Sequence, residues 1–260
     1  METRPAPWID ALRRSHDRLR ALAEPLTADH LEQRSYDQDW SIAQVLSHLG
    51  SQAEVFGLWL DAGLSGQDPP GREAFPPIWD AWNSRRPRAQ AADSLQANEA
   101  LIERLESLDA GQQERFRLAM FGMDLDMAGL LRMRLGEHAV HTWDVAVALD
   151  PAATVAPDAV ALLVDTLGQL AARAGKPDGV KRRVRVSTSS PQRDFLLESG
   201  ETVTLLPLPD EERDEPLAEL RLPAEALVRL TYGRLDPAHT PPVEAQGVDL
   251  GELRRVFPGF

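Results

Sequence analysis

Apolar side chains recur at helical spacing through the first 175 residues, whereas alternation of apolar and polar residues occurs only after residue 180. Helical spacing means that apolar positions fall three and four residues apart. Ser41 is the expected N-cap of the second helical segment, and Pro87 is expected to break or kink the third. The stretch 65–77 is rich in Gly and Pro and is expected to be a loop. Five segments are predicted as helices: residues 7–24, 40–64, 78–108, 126–149 and 157–175.

The alternation after residue 180 has a period of two, which is typical of strands with one buried face. The longest of these segments contains a Ser-Gly-Glu turn and therefore predicts two short strands. Strands are expected at residues 182–190, 195–207 and 217–223, followed by a short helix at 224–235. We therefore predict an α + (α+β) chain: a helical bundle in residues 1–175 and a smaller α+β domain in residues 181–260.

The chain has a formal net charge of -13 and contains no cysteine. This negative charge argues against nonspecific binding to nucleic acid and to anionic membranes. No apolar run approaches the roughly 20 residues that span a bilayer, and charged residues stand where a signal peptide needs an apolar segment. We therefore expect a cytoplasmic protein. Without cysteine the chain has no thiol nucleophile and no zinc–thiolate site of its own, so any sulfur chemistry must use a thiol from a cofactor or substrate.

The segment EHAVHTWD, residues 137–144, concentrates the side chains that could bind a metal. On a helix, Glu137, His141 and Asp144 project from one face, because they are separated by four and then three positions. A carboxylate oxygen and an imidazole nitrogen on adjacent turns can reach one metal ion. The third ligand must come from another helix, and His48 is the best candidate because it lies on the inward stripe of its own helix. Three nitrogen or oxygen ligands with one open position are typical of a catalytic zinc site.

Spacing alone leaves other interpretations of these residues open. A helical histidine beside apolar residues is more often a hydrogen-bonded core residue than a metal ligand. His138 with His141 is a rival ligand pair, and it excludes Glu137 because His138 points about 100° away from that residue. Arg134, one turn before Glu137, either forms a salt bridge to a neighbouring acid or holds an anionic substrate beside the metal. The remaining histidines are expected at the surface: His16, His30 and His239.

Two stretches of the sequence resemble the signatures of a known family. DWSIAQVLSHLG (39–50) resembles the first signature of the mycothiol-dependent maleylpyruvate isomerase family, which is part of the wider DinB-like metalloenzymes. RLGEHAVHTWDVAVAL (134–149) resembles its second signature, an Arg-Leu-x-Glu-x-x-Val-His-x-Trp-Asp pattern. By position, the family's metal ligands fall on His48, Glu137 and His141.

The resemblance also implies the fold. It implies a DinB-like antiparallel four-helix bundle at the N-terminal end of the chain. LPAEALVRLTYGRLDP (222–237) resembles the closing domain of the family, which has a sterol-carrier-like α+β shape.

The resemblance further implies Zn²⁺ or another divalent metal, with mycothiol as the thiol cosubstrate. A thiol has a pKa near ~8.5, and coordination to a metal ion deprotonates it. A thiolate that adds to an activated double bond, allows rotation and leaves would isomerise cis to trans. A thiolate that attacks a small electrophile and stays attached would give S-transfer. The expected partners are this small-molecule thiol and a small electrophilic substrate, and the expected assembly is a monomer or a weak homodimer.

Asp144, Arg134 and Arg234 also receive roles around the metal, and the resemblance implies that of Arg234. Asp144 would orient His141 through the far ring nitrogen, as carboxylates commonly do around metal ligands, or would form a structural hydrogen bond near the end of the helix. Arg134 would hold an anionic group of the cosubstrate. Arg234, with Arg229 behind it, would supply the cation that the family takes from its C-terminal domain. The alternative function is a non-catalytic small-molecule binding protein with a residual metal site, in which the sterol-carrier-like domain holds an apolar ligand.

Overall fold

A computed structural model describes residues 4–37, 39–120 and 122–259 of the chain. The chain divides into two compact units, Met1–Ala153 and Thr154–Phe260. The first is helical apart from a short hairpin, and the second contains a five-stranded sheet with helices. The predicted fold class, a helical bundle followed by a smaller α+β domain, is therefore confirmed.

Four long helices form the core of the first unit, and each of them packs on two of the others. The packing pairs are α1 with α5, α5 with α3, α3 with α7, and α7 with α1. The helices of this unit are α1 (Ala6–Ala23), α2 (Ala28–Glu32), α3 (Ile42–Ser65), α4 (Phe75–Asn83), α5 (Pro87–Glu106), α6 (Ala110–Arg115) and α7 (Met127–Leu149).

The side-chain contacts show the direction of each long helix. On α1 and α5, Arg13 bonds Glu106 and the later Arg20 bonds the earlier Glu99, so these two helices run antiparallel. The pair α3 and α5 runs parallel instead, since Leu49 contacts Asn98 and Asp61 contacts Arg104. In the pair α3 and α7, the hydrogen bonds Gln33–Ala148, Tyr36–Asp144 and Leu49–Arg134 progress in opposite directions along the two segments. The antiparallel arrangement therefore holds for two of the packing pairs. The pair α3 and α5 departs from it, and these directions make the pair α7 and α1 parallel as well.

Helix α4 explains how two consecutive long helices can run parallel. It packs along α3 in the reverse direction, with Phe75 near Trp59 and Trp82 near Gly50. The chain thus returns to the end of the bundle where α3 began before α5 starts. A Cβ atom at Gly50 would lie 2.2 Å from the ring of Trp82, so the glycine is what permits this close approach.

Several predicted helix boundaries are confirmed by the local chemistry. The side chain of Ser41 accepts a hydrogen bond from the Gln44 backbone, and the Gln44 side chain accepts one from Ser41 in return, which is a capping box. The side chain of Asp126 caps α7, because it accepts a hydrogen bond from the backbone N–H of Gly129. The helices expected at 7–24, 40–64 and 126–149 are present within one or two residues.

The break or kink expected at Pro87 is a break, because Pro87 begins α5 and the segment expected at 78–108 is two helices. Two other expectations for the first unit are wrong in detail. The end of the expected loop 65–77 already belongs to α4, whose first turn accepts its prolines. No strand was expected before residue 180, yet a hairpin pairs β1 (Leu118–Met120) with β2 (Met123–Leu125). Strands of three residues are too short to show an alternating pattern.

The second unit is built on one sheet with the strand order β5-β4-β3-β6-β7. Neighbouring strands are antiparallel except β3 and β6, which are parallel. Helix α9 packs on β5, and α10 packs on β3, β6, α8 and α9. The elements are α8 (Pro157–Leu163), α9 (Leu167–Ala174), β3 (Arg182–Ser189), β4 (Arg193–Ser199), β5 (Val203–Pro207), β6 (Ala218–Pro223), α10 (Ala224–Thr231), β7 (Glu244–Gln246) and α11 (Leu250–Val256).

Two boundaries in this unit differ from the predicted ones. The expected bundle ended at residue 175, but α9 packs on β5 and α8 packs on α10, so the two units divide about twenty residues earlier, after Ala153. The expected helix 224–235 ends at Thr231, because Gly233 follows with a positive φ of 73°. The sterol-carrier-like character of this unit stays a prediction.

Among the described helices, none has both the length and the apolar character that are needed to cross a membrane.

Candidate metal centre

The bundle brings together the three side chains that the sequence indicated as metal ligands. His48 projects from α3, and Glu137 and His141 project from neighbouring turns of α7. The distance from Oε2 of Glu137 to Nε2 of His48 is 3.4 Å, and to Nε2 of His141 it is 3.6 Å. The possible ligand atoms of all three residues lie within 4.8 Å of one another. One nitrogen or oxygen donor from each residue therefore faces a common point.

These separations suit a small divalent ion. Two ligand atoms at the usual zinc distances of about 2.0–2.2 Å, spread by a tetrahedral angle, stand about 3.3–3.6 Å apart. The observed distances from Glu137 to both histidines are in or near this range. Two imidazoles and one carboxylate are also ligands that zinc accepts. The residues present therefore fit the group that the sequence implied in their chemistry and in the spacing of Glu137 from both histidines.

The cluster is closed on the inside and open on one side. The side chain of Glu137 is 33% exposed and that of His48 is 20% exposed, whereas His141 is at 11%. Trp40 lies against His48 with 5.2 Å between ring centroids, and the ring of His48 meets that of His141 at 4.6 Å. Water or a small molecule can reach the exposed carboxylate, so a bound ion would keep at least one position for a further ligand. The contact of Trp40 was not anticipated, since the residue precedes the N-cap of α3 and lies outside its apolar stripe.

Asp144 holds the far side of His141. Its Oδ2 lies 2.8 Å from Nδ1 of the imidazole, and the carboxylate is buried. A carboxylate can only accept here, so Nδ1 carries the proton and the lone pair of a neutral ring is on Nε2, facing Glu137. Burial alone would lower the pKa of His141, but the hydrogen bonds with Asp144 and Glu137 outweigh it and raise that pKa to about 9.

The other two residues of the cluster are already in metal-binding protonation states. Burial alone would raise the pKa of Glu137, but hydrogen bonds from His141 and His48 hold that pKa well below its usual range. Burial lowers the pKa of His48, and the charges of His141 and Arg134 act in the same direction. Near neutral pH the cluster therefore presents an ionised carboxylate and a neutral imidazole.

Arg134 is more deeply buried than a residue that binds a substrate directly would be. Its side chain is only 1% exposed, and its Nη2 donates to the Leu49 carbonyl oxygen at 3.2 Å and to Oδ1 of Asn98. The guanidinium also stands over the ring of Phe56 at 5.4 Å. The expectation that Arg134 touches an anionic ligand is therefore not supported by its position, because the surrounding helices cover it. Asn98 was not anticipated, and no sequence pattern pointed to its contact with a residue 36 positions away.

His138, the rival ligand, points to another part of the bundle. Its Nδ1 lies 2.9 Å from Oγ of Ser15 on α1, and its ring faces that of His16 at 6.0 Å. His16 is fully buried, so its expected surface position was wrong. Nε2 of His16 lies 3.1 Å from Nη2 of Arg20 and 3.2 Å from Oε2 of Glu99, and this polar contact is what allows an imidazole to be buried there.

The two arginines proposed from the C-terminal segment belong to the second unit. Arg229, on α10, is buried and forms a two-pronged ion pair with Glu225. Arg234 follows the end of that helix, and its Nη1 donates to the Tyr232 carbonyl oxygen at 2.9 Å. The ion pair gives Arg229 a structural role within its own unit. The contribution of Arg234 to a substrate site stays a prediction.

Comparison with solved structures supports the fold. The chain is similar to the crystal structure of the mycothiol-dependent maleylpyruvate isomerase, with a TM-score of 0.66, 14% sequence identity and 90% of each chain covered. A mutant of that enzyme with alanine in place of a histidine gives the same TM-score and coverage at 13% identity. YfiT from Bacillus subtilis, described as a probable metal-dependent hydrolase with an unusual four-helix bundle topology, has a TM-score of 0.42 at 16% identity, covering 58% of this chain and 86% of its own. At these identities the similarity establishes the fold and not the activity.

Comparison with curated proteins gave no match. Comparison with protein families gave a match, and it covers the three candidate metal ligands. The family is described as the mycothiol maleylpyruvate isomerase N-terminal domain, and its sequence model matches residues 12–146, more than half of the chain. This match includes the whole of the first stretch that the sequence had indicated and the second stretch as far as Ala146. The chain therefore belongs to the mycothiol maleylpyruvate isomerase N-terminal domain family.

Proposed function

We propose that this chain is a metal-dependent enzyme that uses the thiol of mycothiol to convert a small electrophilic substrate. The observation that carries the proposal is the convergence of His48, Glu137 and His141 on a partly exposed side of the bundle. Three donors with an open side suit catalysis better than a purely structural metal site, which is usually closed by four ligands. Membership of the family supports the choice of mycothiol.

Zn²⁺ is the proposed metal, and another divalent ion with the same ligand preferences is the alternative. His48, Glu137 and His141 would hold it through two nitrogens and one oxygen. A bound divalent ion lowers the pKa of a coordinated thiol, so it would supply the nucleophile that a chain without cysteine lacks.

The residues around the site would keep the ligands in their binding form. Asp144 accepts a hydrogen bond from the proton on Nδ1 of His141, so a metal ion that displaces the second proton would bind at Nε2. Glu137 contributes a negative charge that remains ionised near neutral pH. The ring of Trp40 covers one side of His48 and restricts the approach of water from that direction.

Cis–trans isomerisation of a maleylpyruvate-type substrate is the reaction we propose first, because the similar solved enzyme is a maleylpyruvate isomerase. The thiol would add to the double bond, rotation would follow about the resulting single bond, and elimination would return the thiol. S-transfer to a small electrophile is the alternative, and it differs in that the thiol stays attached. Arg234 is the proposed cation for the carboxylates of such a substrate.

The test is a turnover assay with full-length protein purified without a histidine tag. Maleylpyruvate and a panel of small electrophiles would each be offered with mycothiol, with glutathione and without a thiol, after metal content has been measured by mass spectrometry. We expect about one divalent ion per chain and turnover that requires both this ion and mycothiol.

Two results would contradict the proposal. One is equal turnover with and without thiol, and the other is full turnover after the metal has been removed by a chelator. Formation of the trans isomer with unchanged mycothiol would identify the isomerase, whereas loss of free thiol together with a new adduct would identify the transferase.

A further inference from the structure

Arg134 is a cation buried close to the proposed metal ligands. It lies one helical turn before Glu137 on α7, and its guanidinium bonds the carbonyl oxygen of Leu49, the residue after His48. It thus stands between the two helices that carry the ligand set.

The hydrogen bonds of Arg134 go to neutral acceptors. Nη2 donates to Leu49 and to Asn98, and Asn98 itself donates to the same Leu49 carbonyl at 3.3 Å. Within the described part of the chain, Nε and Nη1 find no acceptor. Burial lowers the pKa of Arg134 to about 10, which still leaves it charged near neutral pH. A buried charge held without a close carboxylate is costly, so its position beside the cluster calls for an explanation in function.

Charge balance at the cluster supplies that explanation. The carboxylates acting on the ligand set are those of Glu137 and Asp144. With a divalent ion bound and the imidazoles neutral, these two carboxylates offset the charge of the ion. The guanidinium of Arg134 then remains as a single positive charge in a region of low dielectric constant, where charge interactions are strong. One monoanionic ligand at the open position restores neutrality, whereas a neutral ligand such as water leaves the excess.

We propose that Arg134 is a positioning residue that makes the metal centre select a monoanionic ligand, such as a thiolate or a carboxylate, over a neutral one. It acts through the field at the open position and not by contact, because the surrounding helices cover it. This inference rests on the proposed function, since it requires a divalent ion held by His48, Glu137 and His141. It deepens that proposal by specifying the ionic form in which the thiol is held.

The test uses Co²⁺-loaded full-length protein, whose visible absorption reports ligand binding at the metal. Thiocyanate is the monoanionic probe and imidazole the neutral one, both titrated at one fixed pH. Arg134→Met, similar in length but uncharged, should weaken thiocyanate binding at least about tenfold and change imidazole binding by less than about threefold. Arg134→Lys should keep the preference of the wild type, because it keeps the charge.

A matched control separates charge from packing. Asn98→Leu removes the hydrogen bond to Arg134 and leaves the charge in place, so the ratio of thiocyanate to imidazole affinity should stay within about threefold of wild type. Should Arg134→Met fail to fold, Arg134→Gln is neutral but keeps a donor for the Leu49 carbonyl, and it should show the same loss of thiocyanate affinity. An unchanged ratio in the neutral variant overturns the inference alone. Wild-type protein that binds no Co²⁺ overturns the proposed function and this inference with it.

Discussion

Helix α7 carries buried histidines on two of its faces, and the two faces differ in what surrounds them. On one face, His141 meets Glu137 and His48, and the carboxylate of Glu137 is one-third exposed. On the other, His138 is enclosed by α1, with Ser15 on Nδ1 and His16 across from its ring. Both rings lie in the bundle interior, and both make a hydrogen bond at Nδ1.

The difference shows that burial of a histidine does not mark a metal ligand. At His141, the partner of Nδ1 is an anion, which raises the pKa of the ring, and Nε2 faces further donors. At His138, the partner is a hydroxyl, burial and the charge of Arg134 hold the pKa well below its usual range, and Nε2 has no partner among the described residues. Convergent donors with access from solvent distinguish the first face, while the second is a closed polar contact between helices.

The largest expected effect comes from replacing the histidine on each face by alanine and comparing the two variants. His141→Ala removes one of three ligands, so affinity for Zn²⁺ should fall at least about 100-fold, more than the roughly 10–100-fold that follows loss of a group that only orients a ligand. His138→Ala should retain the metal but lower the free energy of unfolding by about 2–4 kcal/mol, because it leaves a cavity and an unpaired hydroxyl. Metal content by mass spectrometry and urea unfolding would check both results.

The converse result would reverse the assignment of the two faces. If His138→Ala loses the metal while Glu137→Ala keeps it, His138 is the ligand and Glu137 is not. His48→Ala should behave like His141→Ala, since the ligands come from two helices.

A smaller effect is expected from Asp144→Asn, which makes the two faces more alike. The amide oxygen can still accept from Nδ1 of His141, but the negative charge is gone, so the ring becomes a weaker ligand. Affinity for Zn²⁺ should fall about 10–100-fold while the metal-free fold is retained. Asp150→Asn, at the exposed end of α7, is the matched control and should bind metal like the wild type. Equal metal affinity in both variants would show that Asp144 has only a structural role.

The closed face should be recognisable in the pH dependence of stability. Burial lowers the pKa of His16, and the charges of Arg20 and Arg13 lower it further. The charge of Glu99 acts in the opposite direction and does not outweigh them. Between the folded and the unfolded pKa of His16, the unfolded chain therefore binds a proton that the folded chain does not bind. The free energy of unfolding is at its full value above the unfolded pKa of ~6.5 and falls as the pH drops below it. The fall is up to about 1.4 kcal/mol per pH unit for each such residue.

His16→Gln removes this titrating group, so its free energy of unfolding should fall less steeply than that of the wild type between about pH 6.5 and pH 5.5. Urea unfolding at these two values measures the slopes. Identical slopes would mean that His16 takes up its proton without opposing the fold.

The sequence predicted the open face better than the closed one. Spacing placed Glu137, His141 and Asp144 on one side of a helix, because helical geometry is local and depends only on position in the chain. The choice of His48 as the partner across the bundle came from its inward position on α3 and from the family resemblance. These residues could be predicted because a metal site requires particular residue types at regular spacing.

The closed face could not be predicted in the same way. His16 was expected at the surface because its neighbours in the sequence are charged, yet its Nε2 meets Arg20 from one turn away and Glu99 from another helix. Such pairings depend on which helices meet and at what height, and Asn98 with Arg134 is a second example. The parallel run of α3 and α5 was missed for a related reason, because it depends on the return of the chain through α4. Local patterns do not encode how helices associate.

The smallest expected effect concerns the hydrogen bond from Ser15 that joins α1 to the closed face. Ser15→Ala removes the hydroxyl 2.9 Å from Nδ1 of His138 and leaves that nitrogen with Oγ1 of Thr142 at the longer distance of 3.4 Å. The free energy of unfolding should fall by about 1 kcal/mol, the usual net contribution of one hydrogen bond. Affinity for Zn²⁺ should not change, because Ser15 touches no member of the ligand set. Ser47→Ala, which removes a buried hydroxyl bonded to Asn83, is a control of similar size on α3. A loss of metal affinity in Ser15→Ala but not in Ser47→Ala would show that the two faces of α7 are coupled, and the contrast between them would then fail.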